Sequence, residues 1–135
     1  MERCPLTETE ARQLITEYFR AAVCEPDPDV YLSLLTPDAV LEDPVGTPPY
    51  RGRDAIARFL RPSKATIERG EFSVGEIFAC GNECTARWTV RAWFKTGQHV
   101  VIEGTGLFVF DEERKIRQIR EFWDSPELKA LMSGA

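Results

Sequence analysis

The chain has one histidine, His99, in 135 residues, no glycine-rich phosphate loop, and no apolar run near the ~20 residues that cross a bilayer. Each gap removes a class of function. His99 lies beside the turn Thr96-Gly-Gln98, far from any serine in a strained elbow, so a nucleophilic triad has no base. Gly104-Thr-Gly106 falls inside a strand pattern rather than between a strand and a helix, which argues against nucleotide binding. Basic excess is also missing: the net charge is -5, the pI is near 5.0, and Lys and Arg are scattered. A nucleic-acid partner is therefore not expected. Met-Glu-Arg-Cys leads into a polar helix rather than an apolar export segment, so a cytoplasmic protein with no membrane partner is expected. Cys4, Cys24, Cys80 and Cys84 form no disulfide framework. Cys80 and Cys84 flank a hairpin turn, and as half a zinc site they would need two further ligands in a chain with one His, so no metal is expected.

What remains is the composition of a folded chain. Hydrophobic residues make up 43%, including three Trp and eight Phe. That is enough for a core without staples, and the length predicts one domain over 1–135. Thr7-Glu-Thr-Glu10 is a capping box that opens a helix whose Leu14, Ile15, Tyr18, Phe19 and Ala22 keep the helical period, ending near Pro26. Tyr18 therefore faces the core. Asp27 caps a short second helix that starts at Pro28 and turns Val30, Tyr31, Leu34 and Leu35 inward. A third helix is predicted over 52–60, ended by Pro62, and a short terminal one over 125–131.

Between the second and third helices, Ala39-Val-Leu-Glu-Asp-Pro-Val-Gly sets a strand directly before two adjacent carboxylates and a Pro- and Gly-rich loop. Alternation puts Ala39, Leu41 and Asp43 on one face and Val40 and Glu42 on the other, without saying which is buried. Pro44 has no N–H for a sheet, so pairing is expected to stop where the acid is presented.

Four further strands, about 71–80, 84–95, 99–110 and 115–123, predict a curled antiparallel sheet. In the second of these, Ala86, Trp88, Val90, Ala92 and Phe94 share one face, leaving Trp93 among arginines on the wet face as a candidate oligomer contact. In the third, Gly104 and Gly106 interrupt an otherwise bulky face, which predicts either room for a ligand or a bend in the sheet. An inward acid, an inward Tyr and an apolar interior are the equipment of proton transfer on a hydrophobic small molecule.

These features resemble the nuclear-transport-factor-2-like superfamily (SnoaL-like proteins included), and within it the bacterial ketosteroid (steroid Δ-) isomerases. The segment Leu41-Glu-Asp-Pro-Val-Gly-Thr-Pro-Pro49 with Gly52 is similar to the one carrying the isomerase's base, and the tail from Phe110 through Trp123 is similar to the family's last hairpin. The resemblance implies an α+β fold, a cone-shaped roll of curved antiparallel sheet wrapped by three N-terminal helices. It implies Asp43 as base and Tyr18 as oxyanion donor, with no cofactor. It further implies substrate contacts at Trp88, Val90 and Ile102, at Gly104 and Gly106, and at Ile119 and Trp123. Gly106 stands where the isomerases carry a protonated Asp, so one oxyanion donor is missing at that position. The expected function is isomerase-like proton transfer on a hydrophobic ketone or related metabolite by a homodimer. The alternatives are epoxide hydrolysis or cyclisation, with Glu68 or Glu76 as second acid, and a hydrophobic-ligand-binding module without catalysis.

Overall fold

A computed structural model describes residues 5–132. Thr7 caps α1 (Glu8–Phe19) by accepting a bond from the Glu10 amide at 3.1 Å, and the helix then widens into a π turn over Arg20–Cys24. Asp27 caps α2 (Pro28–Leu32) through the Asp29 amide at 2.9 Å. Tyr31 and Leu35 point inward from this region, whereas Val30 is exposed. The third helix, α3 (Arg53–Thr66), runs past the predicted stop with Pro62 inside it. Its extra turn is held by Lys64, whose ammonium donates to the carbonyls of Ala21, Ala22 and Glu25 at 2.8, 3.0 and 2.7 Å. This tertiary tie offsets the hydrogen bond that proline cannot make.

The strands are β1 (Leu35–Glu42), β2 (Tyr50–Arg51), β3 (Ile67–Cys80), β4 (Glu83–Phe94), β5 (His99–Phe110) and β6 (Ile116–Phe122). They form one curled, unclosed sheet in the order β2-β1-β6-β5-β4-β3. Pairings are antiparallel except one: β1 runs parallel to β6, with Leu41 opposite Ile119 and Glu42 opposite Arg120. The expected alternation of β4 holds, with Ala86, Trp88, Ala92 and Phe94 buried. In β3 the alternation breaks. A register shift between Val74 and Ile77 turns Ile77 inward and leaves Phe78 71% exposed. Because of this bulge, a strict period of two does not predict the face of anything beyond Val74.

The core at the closed end is aromatic. Tyr18 meets Phe19, Tyr31 and Phe108 at centroid separations of 5.1, 5.2 and 5.0 Å, and Phe19 leans on Trp88 at 5.7 Å. Tilted and edge-on contacts of this kind contribute about 0.5–1.5 kcal/mol each beyond area burial. They also fix the position of the Tyr18 ring. A short helix, α4 (Pro126–Met132), follows β6, and Ser125 Oγ accepts from the Leu128 amide at 3.2 Å. No described helix is long and apolar enough to cross a membrane.

Candidate active site

Between the helices and the concave face of the sheet lies a cavity of about 1100 Å³ whose walls are mainly apolar, from Phe19, Phe59, Trp88, Val90 and Ile102 among others. Lys95, Thr96 and Gln98, all exposed, are at its mouth. At the inner end are Asp43, Tyr18, Tyr31, Glu121 and Trp123. Strand β1 carries Asp43 there because Ala39 and Leu41 are the buried face, and the acid is the next residue of that face, just past the strand end. The Trp123 indole N–H donates to Asp43 Oδ1 at 2.6 Å. Burial raises the Asp43 carboxyl above its ordinary range, and the Trp123 hydrogen bond opposes that shift. The result is a carboxylate of increased basicity held in one orientation.

Tyr18 and Tyr31 share a hydrogen bond between their hydroxyls, 3.0 Å apart. Burial raises both, and the nearby charge of Asp43 pushes in the same direction, so both phenols are neutral donors at physiological pH. Tyr31, predicted only as a core residue, belongs to the site.

Glu121 is the residue that sequence reasoning missed. It is 4% exposed, and its Oε1 has no hydrogen-bond partner among the described residues. Its place follows from the parallel pairing: continuing the register Leu41–Ile119 and Glu42–Arg120 by one step sets Asp43 beside Glu121. The Val45 amide bonds the Glu121 carbonyl at 2.8 Å, which holds the loop after Asp43 against β6. Burial first, and the charge of Asp43 second, raise the Glu121 carboxyl well above the usual range, which favours its protonated form. A signal existed in the sequence. Alternation along β6 puts Glu121 between Ile119 and Trp123, two residues expected to contact substrate.

Of the other residues expected to contact substrate, Trp88, Val90, Ile102 and Trp123 line the cavity, while Ile119, Gly104 and Gly106 do not. Ile119 is wholly buried in the core. The glycines leave no empty wall, which removes the first of the two expectations, room for a ligand. A Cβ on Gly104 would lie 2.4 Å from the Phe122 carbonyl oxygen and 2.7 Å from the Trp88 ring, and one on Gly106 would lie 2.2 Å from Glu121 Oε1, so neighbouring atoms fill both spaces. Glu68 and Glu76 are exposed and do not line the cavity, which removes both as second acids. Trp93 is sandwiched within the chain, with His99 stacked at 4.5 Å and the Arg69 guanidinium 4.0 Å from its ring. Cys24, Cys80 and Cys84 are free, and Cys4 lies outside the described residues. Among the described residues no group of three or more His, Cys, Asp or Glu could hold a metal ion.

A helix-wrapped conical sheet with acids at the closed end of an apolar cavity defines the class as nuclear-transport-factor-2-like. The chain belongs to the SnoaL-like domain family, whose model matches residues 15–119. It is 30% identical over 115 residues to a steroid Delta-isomerase of Nocardioides simplex, a match covering 84% of this chain and 89% of that protein. Among solved structures it is similar to SalBIII, described as an epoxide hydrolase/cyclase-like enzyme in pyran ring formation in the polyether salinomycin. That match has a TM-score of 0.75 at 24% identity over 87% of this chain and 92% of the other. It is also similar to an NTF2-like protein of unknown function from Exiguobacterium, with a TM-score of 0.69 at 17% identity, covering 83% and 98%.

Proposed function

We propose that this chain is an isomerase-like enzyme that moves a proton within a hydrophobic ketone, with Asp43 as base and Tyr18 as a donor to the carbonyl oxygen. The observation that carries the reading is the meeting of these two residues at the inner end of one apolar cavity, with Asp43 already oriented by Trp123. In the step, Asp43 removes a proton from the carbon beside the carbonyl. The electron pair moves through the conjugated system onto oxygen, where a phenol hydrogen bond stabilises it. The protonated Asp43 then returns the proton to a different carbon, and no cofactor is consumed.

Replacing Asp43 by Asn tests this directly. Turnover of a β,γ-unsaturated ketone should fall at least about a hundredfold while the circular-dichroism spectrum and unfolding transition are retained. Equal rates for wild type and variant would remove the catalytic assignment and leave a binding module.

A second reading, epoxide opening or cyclisation, is favoured by Glu121 standing as a protonated acid beside an ionised one. One acid would protonate the epoxide oxygen while the other takes a proton from the attacking hydroxyl. Turnover of an epoxy-alcohol but not of the β,γ-unsaturated ketone would select it. The partner in either case is a hydrophobic small molecule. Exposed Phe78, Val101 and Phe122 on the outer face of the sheet support the expected homodimer, which light scattering of the purified protein would test.

A further inference from the structure

The register of β5 and β6 sets Gly106 directly opposite Glu121. Residues opposite each other in an antiparallel pair project from the same face with Cβ atoms about 5 Å apart, so side chains at both positions compete for one volume. Here a Cβ on Gly106 would lie 2.2 Å from Glu121 Oε1, closer than the 2.7 Å to the Phe108 ring. The glycine at 106 is thus what admits the carboxyl at 121.

That carboxyl has no stabilising partner to explain it. Oε1 is buried, and no group among the described residues donates to it or accepts from it. Leaving such a group unmatched costs about 1–3 kcal/mol, which a core chosen for stability alone would avoid with an apolar residue. Glu121 lines the cavity together with Asp43 and Tyr18, in position to be satisfied by a molecule bound there.

We propose that Glu121 is a catalytic residue, a protonated carboxylic acid that donates the second hydrogen bond to the substrate's carbonyl oxygen, reached from β6 because position 106 on β5 is glycine. The inference rests on the proton-transfer reading given above. Glu121 keeps its proton throughout. Asp43 takes and returns the migrating one, and the charge that develops on oxygen is shared between the donors from Tyr18 and Glu121. The raised carboxyl of Glu121 is consistent with this donor role.

The test compares wild type, Glu121→Gln, Glu121→Leu and the exchange Gly106→Asp with Glu121→Gly on a β,γ-unsaturated ketone. Loss of the donor in Glu121→Leu should lower kcat about a hundredfold with little change in KM, because the bond is strongest in the transition state. Glu121→Gln, which keeps an N–H donor, should stay within about tenfold of wild type, and the exchange should recover at least about tenfold over Glu121→Leu. A Glu121→Leu rate within threefold of wild type, or an exchange as slow as Glu121→Leu in a folded protein, overturns the proposal. Affinity for a flat polycyclic phenol, an analogue of the enol, is measured in parallel and needs no turnover. Weakening of about tenfold or more in Glu121→Leu but not in Glu121→Gln supports the donor even if no ketone is turned over, which would count against Asp43 alone. Unchanged phenol affinity in both variants counts against Glu121 itself. If Glu121→Leu does not fold, the Gln variant and the exchange still decide the matter.

Discussion

At the scale of single residues, the two neighbouring acids titrate in opposite service. As the proposed base, Asp43 is competent only when ionised, so activity should fall as pH drops through its raised pKa. The Trp123 indole favours the charged form. Trp123→Phe removes that bond, raises the Asp43 pKa further, and should move the acid limb of the kcat profile to higher pH. A limb that stays in place or moves down would contradict this. Glu121 has a consequence for stability. The folded protein holds its proton more tightly than the unfolded chain does, so the unfolded chain releases it first and stability declines as pH rises from the ordinary glutamate range towards the raised folded value. Tyr18 and Tyr31, which face it, stay neutral across that window, while Asp43 titrates in both proteins being compared. Glu121→Gln should therefore be more stable than wild type at neutral pH, by a margin that narrows towards pH 5. Urea midpoints at pH 5, 6 and 7 measure that margin, and a constant one refutes the linkage.

At the scale of elements, the π turn over Arg20–Cys24 joins the helices to the sheet. It rests on β3 where Gly70 passes so close that a Cβ there would lie 2.3 Å from the Val23 carbonyl oxygen. Lys64 closes the far side by engaging three carbonyls of this region with one ammonium. Lys64→Met should therefore cost about 1–3 kcal/mol in urea unfolding, since it leaves three partly buried acceptors without a donor. A loss below about 0.5 kcal/mol would mean that water replaces the ammonium freely. Gly70 and Lys64 were not marked by the sequence pattern, because both fall between the helix expected over 52–60 and the strand expected from about 71. What gives each its role is the approach of a segment more than 35 positions away.

At the scale of the whole molecule, a ligand bound in the cavity would be coupled to the fold. A flat polycyclic phenol that fills it at a hundred times its dissociation constant should stabilise the protein by about 2.7 kcal/mol, read as a rise of several degrees in unfolding temperature. No rise at saturating ligand would mean that the inner end is closed to ring systems.

Most elements of the fold are legible in the sequence. The Thr7 and Asp27 caps, the helical stripe through Tyr18, the alternation of β4 and the arrest of β1 before Pro44 each depend on residues within a few positions of one another. Local spacing alone therefore determined that Tyr18 faces the core and that an acid stands at a strand end. The companion of that acid was decided only in three dimensions. Asp43 and Glu121 become neighbours through a parallel pairing between β1 and β6, segments nearly 80 positions apart, and nothing in the neighbourhood of either residue encodes that register. The face of Glu76 was hidden for the same reason, since the bulge in β3 arises from its fit to β4. Periodicity is a property of a chain's near neighbours, whereas the matching of remote strands is set by how the whole core packs.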